Sequence, residues 1–180
     1  MRPERPLDPP KQVVAGISGK VAYTDVGSGF CVMLVHGAPG STYDFRWLTP
    51  VLQSWCRVIT VDMPGFGAAS PAAVPATLEG RASYLAEILN IIDVRRCLVV
   101  GHSFGASAVV ALGALYPERV AALALLSPVG LRMHWGLRRF RGRRLLHKLV
   151  PVPVVGDQLL DGLRNSMVRG GFSNKTRSDE

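Results

Sequence analysis

The chain has 180 residues, of which 48% are hydrophobic and 19% are charged, so it is long and apolar enough for one sizeable core and lacks the composition of a disordered protein. No apolar run approaches the roughly 20 residues that cross a bilayer, and the Pro-rich start MRPERPLDPP lacks the apolar centre of a secretory signal. The net charge is +8, and the excess is concentrated in one segment, because no acidic residue occurs between Glu118 and Asp157.

The first half of the chain predicts a hairpin followed by two buried strands. Residues 1–12 are expected to form a loose arm, and the β-type stretches QVVAGIS and KVAYTDVG, separated near Gly19, predict an antiparallel pair. The continuous apolar runs at residues 31–37 and 56–63 predict strands that are buried on both faces. Between them we expect a helix, bent by Pro50, from apolar residues at helical spacing: Phe45, Leu48, Val51, Leu52 and Trp55.

The second half continues the alternation of helix and strand. Thr77 is placed to cap the next helix. The apolar face of that helix consists of Leu78, Ala82, Leu85, Leu89 and Ile92. The stretch RCLVVGH predicts a third buried strand, residues 104–116 a helix of small apolar residues, and RVAALALLS a fourth buried strand. This rhythm predicts an α/β fold, in which helices cover both faces of a mostly parallel sheet.

The three cysteines, Cys31, Cys56 and Cys97, each start an apolar, strand-like run. An odd number of cysteines in such runs indicates buried, reduced thiols and a cytoplasmic protein. Nothing in the sequence has the spacing of a metal-ligand cluster, so we expect neither a metal nor an organic cofactor.

The sequence GHSFG, residues 101–105, places Ser103 between a predicted strand and a predicted helix. In this context G-x-S-x-G forms a tight elbow that holds the serine backbone in a strained conformation. Gly101 and Gly105 are required because a side chain at either position would collide across the turn. The hydroxyl would then lie at the positive end of a helix. A plain turn is the alternative, and the strand–turn–helix context favours a nucleophile.

The sequence HGAPG, residues 36–40, follows the first buried strand and predicts an oxyanion-binding loop. A tetrahedral intermediate needs two backbone N–H donors. One would be the N–H of Phe104, directly after the nucleophile, and the other that of Ala38, because Pro39 has no N–H. His36 is expected to shape the loop through hydrogen bonds and not to act as the base, and His102 is expected to point away from the Ser103 hydroxyl.

The motifs VMLVHGAPGS, VITVDMPGFGAAS and LVVGHSFGA, in this order, resemble the oxyanion loop, the fourth-strand turn and the nucleophile elbow of the α/β-hydrolase fold superfamily, in its branch with a single cap after the sixth strand. The resemblance implies a hydrolase core at residues 13–128 and a partial helical cap with a polar tail at residues 129–180. Relatives with aspartate at the elbow are epoxide hydrolases and haloalkane dehalogenases. Ser103 instead implies a small-molecule substrate with an ester, an amide or an activated carbon–carbon bond, and an acyl-serine intermediate.

The resemblance also implies an acid and a base that follow Ser103 in the order Ser, Asp or Glu, His. The later histidines, His134 and His147, lie in the basic segment, and neither follows a strand-like run. We therefore expect a C-terminally truncated hydrolase with negligible turnover. Its last strand would be an open apolar edge that favours self-association. The alternative is a non-catalytic binding relative that keeps only the elbow.

Residues 131–150 mix apolar side chains with cations. The basic residues in this segment are Arg132, Arg138, Arg139, Arg141, Arg143, Arg144 and Lys148. A cap helix that keeps its cations in water is the favoured interpretation, and an amphipathic helix in weak contact with an anionic membrane is the alternative. Nucleic-acid binding is not expected, because no recognition motif accompanies the charge.

Overall fold

The structure is a computed structural model that describes residues 9–70 and 77–129. The predicted cap and tail from residue 130 onward, with the basic segment, His134 and His147, lie outside the described residues. The described strands are β1 (Lys11–Gly16), β2 (Gly19–Val26), β3 (Cys31–Val35), β4 (Arg57–Asp62), β5 (Cys97–His102) and β6 (Val120–Leu126). The described α-helices are α1 (Thr49–Leu52), α2 (Leu78–Ile91) and α3 (Phe104–Leu115).

The described strands form one sheet in the order β1-β2-β4-β3-β5-β6. β1 pairs antiparallel with β2, and the turn between them uses Gly19 at a φ of 95°, which glycine adopts without a steric penalty. β2 is antiparallel to β4, whereas β3 is parallel to β4 and β5, and β5 is parallel to β6. The predicted hairpin and the mostly parallel sheet are confirmed. β1 begins at Lys11, within the segment predicted to be an arm.

The side chains of β3 alternate between the two faces of the sheet, which divides the core into two clusters. Met33 and Val35 pack in the larger cluster with residues of α2 and α3. Val32 and Leu34 pack in the smaller cluster on the other face, together with Phe45. Every residue of β3 is buried, which is why its sequence is a continuous apolar run and not an alternating one.

Helix α2 begins at the predicted cap and buries the predicted face. The Thr77 Oγ1 accepts a hydrogen bond from the backbone N–H of Gly80 at 3.1 Å. Ala82, Leu85 and Leu89 are fully buried, as the helical spacing predicts. Leu78 departs from the prediction, since it lies in the first turn and is 45% exposed.

The segment after β3 does not form the single bent helix that the sequence predicts. It consists of a 3-10 turn at Thr42–Phe45 and the short helix α1. Pro50 lies in the first turn of α1, where its missing N–H is not needed, so it starts a helix and does not bend one. Phe45 is buried, whereas Val51 and Trp55 are 62% and 84% exposed, so the apolar spacing in this segment does not mark a packed helix face.

Strand β6 lies at one edge of the sheet within the described part of the chain. The prediction of a fourth buried strand is wrong, because no residue of β6 is buried and its three leucines, Leu123, Leu125 and Leu126, are 41%, 41% and 43% exposed. The sequence predicts this apolar edge, but self-association through it stays a prediction. Among the described helices, none has the length and apolar character that crossing a bilayer requires.

The three cysteines are free and buried, as their positions in apolar runs predict. Cys31 and Cys97 begin the neighbouring parallel strands β3 and β5. The hydrogen bond to the Cys31 thiol, together with burial, raises the pKa of Cys97, so Cys97 stays a neutral thiol in the core.

Candidate active site

The three sequence motifs meet at one edge of the sheet. HGAPG follows β3, DMPGFG overlaps the end of β4, and GHSFG overlaps the end of β5. In the register of these parallel strands Val35 lies opposite Val61 on one side and Gly101 on the other. The three turns are therefore neighbours at the carboxyl ends of the strands, which is where ligands bind in open parallel sheets.

Ser103 adopts the backbone conformation that the elbow motif predicts. Its φ is 49° and its ψ is −111°, a conformation that non-glycine residues rarely adopt. It joins β5 directly to α3, and its N–H donates to the carbonyl of Leu126 at 2.9 Å. Its side chain is partly exposed and does not cap α3. Within residues 9–70 and 77–129 the hydroxyl has no hydrogen-bond partner.

The glycines beside the serine leave no room for a side chain. A Cβ atom on Gly101 would lie 2.6 Å from the Cα of Ala106 and 2.6 Å from the Cγ2 of Val109. A Cβ atom on Gly105 would lie 2.6 Å from the carbonyl oxygen of Val35 and still closer to that of His36. α3 therefore packs directly against β3, and the elbow depends on this close approach.

The HGAPG loop lies against the elbow. A Cβ atom on Gly37 would be 3.1 Å from the Cβ of Ser103, so the two turns are in contact. Ala38 follows Gly37 in this loop and is exposed. Phe104 begins α3, so its N–H is one of the first-turn donors that have no acceptor within the helix. The structure thus brings together the loops that carry the two sequence-predicted oxyanion donors.

His36 connects the HGAPG loop to the turn after β4. It is 1% exposed, its Nε2 accepts a hydrogen bond from the N–H of Met63 at 2.9 Å, and its Nδ1 donates to the carbonyl of Gly37 at 2.5 Å. These bonds require the neutral imidazole, and burial lowers the pKa of His36 below its ordinary value of 6.5. His36 therefore shapes the loop, as the sequence predicts. His102 is exposed, and neither of these histidines is hydrogen bonded to Ser103 in the described structure.

Asp62 holds the same edge together, a role that the sequence analysis missed. It is fully buried at the end of β4. Its carboxylate accepts hydrogen bonds from the N–H of Thr42 and the N–H of Ala68, each at 2.8 Å, and forms an ion pair with the Nζ of Lys11 at 2.8 Å. A Cβ atom on Gly67 would overlap the carboxylate. The signal in the sequence is a carboxylate that closes an apolar strand two residues before a Pro-Gly pair.

A metal site has no support in the described structure. Within residues 9–70 and 77–129 no group of three His, Cys, Asp or Glu side chains could hold a metal ion. Ser103 lies at the elbow, and the predicted donors Ala38 and Phe104 lie in the adjacent loop and in the first turn of α3.

The sequence of the chain matches a known family over the same region. Residues 31–149, more than half of the chain, match the alpha/beta hydrolase fold family. The chain belongs to this family. The match contains all three turns of the candidate site, so these turns lie in the part of this α/β-hydrolase-fold chain that resembles its family.

Relatives of this α/β-hydrolase-fold chain include hydrolases of several kinds. It is 40% identical over 111 residues to the 2-hydroxy-6-oxo-2,4-heptadienoate hydrolase of Pseudomonas putida, a match that covers 59% of this chain and 40% of that protein. It is 34% identical over 111 residues to bifunctional epoxide hydrolase 2 of Sus scrofa, which covers 60% and 20% of the two chains. These names establish a hydrolase family, and the chain spans less than half the length of either relative.

Solved structures agree with the fold. The chain is similar to a thermophilic esterase from Thermogutta terrifontis, solved with malate bound, at a TM-score of 0.63 and 25% sequence identity. This similarity covers 79% of the chain and 54% of the esterase.

Proposed function

We propose that the described residues provide the nucleophile and the oxyanion-binding groups of a serine hydrolase. The observation that carries the proposal is the strained backbone of Ser103, which presents an unbonded hydroxyl at a strand-to-helix turn. In the proposed reaction the Ser103 Oγ attacks a carbonyl carbon and gives up its proton to a base. The N–H groups of Ala38 and Phe104 bind the resulting oxyanion. The leaving group departs with a proton, and water then hydrolyses the acyl-serine and restores the hydroxyl.

The proposed substrate is a small molecule with an ester, an amide or an activated carbon–carbon bond. Two observations support this class. The relatives include a hydrolase named for a heptadienoate and an esterase. Ser103 is a hydroxyl nucleophile, and its attack on a carbonyl gives an acyl ester that water can cleave. The epoxide hydrolase relative belongs to the same family, so the nucleophile and not the fold supports acyl chemistry.

The 180-residue chain by itself is expected to show negligible turnover. No histidine follows Ser103 among the described residues. The acidic residue that does follow, Glu118, lies in the 3-10 turn before β6, at the amino ends of the strands and away from the elbow. Removing the histidine of a serine hydrolase triad costs about a millionfold in turnover. The alternative, a non-catalytic binding relative, shares this inactivity.

Fluorophosphonate labelling of the purified chain tests the nucleophile. Ser103→Ala removes the proposed nucleophile, and Ser107→Ala is the matched control, because the Ser107 hydroxyl in the same helix donates to the carbonyl of Phe104 at 2.7 Å. We expect slow labelling at Ser103 that free imidazole accelerates, because imidazole can act as the base. The label should disappear in Ser103→Ala and persist in Ser107→Ala.

Two other outcomes are informative. No labelling at Ser103 even in imidazole would contradict the proposed nucleophile and favour the non-catalytic relative. Rapid hydrolysis of p-nitrophenyl acetate without imidazole, lost in Ser103→Ala, would confirm the nucleophile but contradict the expected inactivity. His134 or His147 would then be the base.

The remaining expectations concern association and location. Self-association through the β6 edge is proposed because Leu123, Leu125 and Leu126 are exposed there, and size-exclusion chromatography measures it. Weak contact of residues 131–150 with an anionic membrane stays a prediction, since that segment lies outside the described residues. A cytoplasmic location also stays a prediction.

A further inference from the structure

A cationic side chain stacks on the residue that follows the proposed nucleophile, and it has no counter-ion within residues 9–70 and 77–129. Arg81 is the fourth residue of α2, and its guanidinium carbon lies 4.0 Å from the centroid of the Phe104 ring. Phe104 directly follows Ser103, and both residues are partly exposed at the same edge of the sheet. Arg81 thus places a positive charge over the ring of Phe104, the residue that follows the elbow serine.

The other partly buried guanidinium groups of the described chain have hydrogen-bond acceptors. Arg57 pairs with Asp25 at 2.6 Å, Arg119 donates to Asn90 and to the carbonyl of Val94, and Arg46 donates to the carbonyl of Tyr43. Arg81 has its aromatic contact but no carboxylate or carbonyl partner within residues 9–70 and 77–129. It is the exception among partly buried cations there.

Helix stability does not account for a cation at this position. The first turn of a helix carries a partial positive charge, so an arginine there is mildly unfavourable. The nearest acidic residue along the helix, Glu79, is exposed and two positions away, a spacing at which side chains do not face each other. Partial burial lowers the pKa of Arg81, because its charge loses solvation there.

A carboxylate is the group that completes this arrangement. A guanidinium binds a carboxylate through two parallel hydrogen bonds, and an aromatic ring stacked on the guanidinium fixes the orientation of its plane. The nearby α2 N-terminus also favours an anion. We propose that Arg81 binds a carboxylate of the substrate and so selects acidic small molecules. The inference rests on the proposed function in one respect, because Ser103 sets where the reacting carbonyl lies. The anion site itself does not depend on that function.

Ligand-observed NMR titration with benzoate and with its neutral analogue benzamide tests the anion site. The titrations use the 180-residue chain and three variants: Arg81→Gln, Arg81→Lys and Arg95→Gln. Arg95 is the matched control, because it is an exposed arginine that precedes β5 at the amino ends of the strands. Thermal unfolding of each variant verifies that it is folded.

We expect the chain to bind benzoate about tenfold more tightly than benzamide, since one charge-assisted pair in a partly buried site contributes this much. The preference should fall to about onefold in Arg81→Gln and to about threefold in Arg81→Lys, which keeps the charge but loses the fork. It should be unchanged in Arg95→Gln.

Equal binding of the two ligands, or no binding of either, overturns the inference. So does a preference that survives in Arg81→Gln or that disappears in Arg95→Gln as well. Fluorophosphonate labelling of the unsubstituted chain, set beside its benzoate titration, separates the two proposals. A retained benzoate preference with no labelling at Ser103 contradicts the proposed chemistry and leaves the anion site, and the reverse result contradicts the anion site alone.

Discussion

The elbow at Ser103 and the turn at Asp62 lie at the same edge of the sheet but are held in different ways. At the elbow, Gly101 and Gly105 leave no space for a side chain, so close packing of α3 against β3 fixes the backbone. At the other turn, the buried carboxylate of Asp62 gathers Lys11 and the N–H groups of two loops. Steric fit therefore fixes the backbone at Ser103, whereas charge and hydrogen bonds fix the neighbouring turn after β4.

This difference predicts which changes each turn tolerates. The elbow should fail when atoms are added, because protein interiors at such contacts have no spare volume. The Asp62 turn should fail when an acceptor is lost, because a buried N–H without a partner carries its full desolvation penalty. The following changes test the comparison, beginning with the largest expected effect.

Gly105→Ala should destabilise the chain by about 3 kcal/mol, because the new Cβ would overlap backbone atoms that cannot move aside. Gly113→Ala is the control in the same helix, since its Cβ would lie 3.1 Å from the flexible end of Leu123. The control should change stability by less than about 1 kcal/mol, because helix propensity offsets the contact. Urea unfolding measures both. Equal effects would show that packing against β3 does not fix the elbow.

Asp62→Asn should destabilise the chain by about 2 kcal/mol, because an amide cannot accept from both Thr42 and Ala68 while it also pairs with Lys11. Asp25→Asn breaks the partly exposed pair with Arg57 and should cost less than about 1 kcal/mol. Urea unfolding at neutral pH compares the two variants. A larger effect of Asp25→Asn would contradict the role given to the buried carboxylate.

The pH dependence of stability tests His36. Because burial lowers the pKa of His36 in the folded chain, the unfolded chain binds a proton more readily. The contribution of His36 to stability is therefore complete above pH 6.5 and is lost as the pH falls from 6.5 toward the folded-state pKa, with a slope of at most about 1.4 kcal/mol per pH unit.

His36→Gln should remove this slope in unfolding experiments, because glutamine has no charge to gain. His102→Gln, which changes an exposed imidazole, serves as the control and should retain the slope. If His36→Gln keeps the full slope, another group causes it.

Several features of the candidate site could be predicted from the sequence because they are local. The elbow is a short turn whose glycines lie two residues from Ser103 on either side, so its motif contains the steric reason for its shape. The apolar runs of β3 and β5 predicted buried parallel strands, and such strands bring their following turns to one edge. The cap of α2 at Thr77 is equally local.

Other features depend on residues that are far apart in the chain. The segment between β3 and β4 has apolar residues at helical spacing, but Val51 and Trp55 are largely exposed, and Pro50 starts a short helix there. The spacing alone could not show which side chains meet a packing surface. Leu78 is exposed for a related reason, because a periodic pattern does not fix where the buried part of a helix begins.

By itself, the sequence determined the order of strands and helices, the strained turn at Ser103 and the family, since each depends on residues adjacent in the chain. Only the tertiary structure decided that Asp62 binds Lys11, which is 51 residues away, and that Arg81 lies over the ring of Phe104. The physical reason is that a charge or hydrogen-bonding group is defined by what surrounds it in space. Those surroundings form only when distant segments pack together.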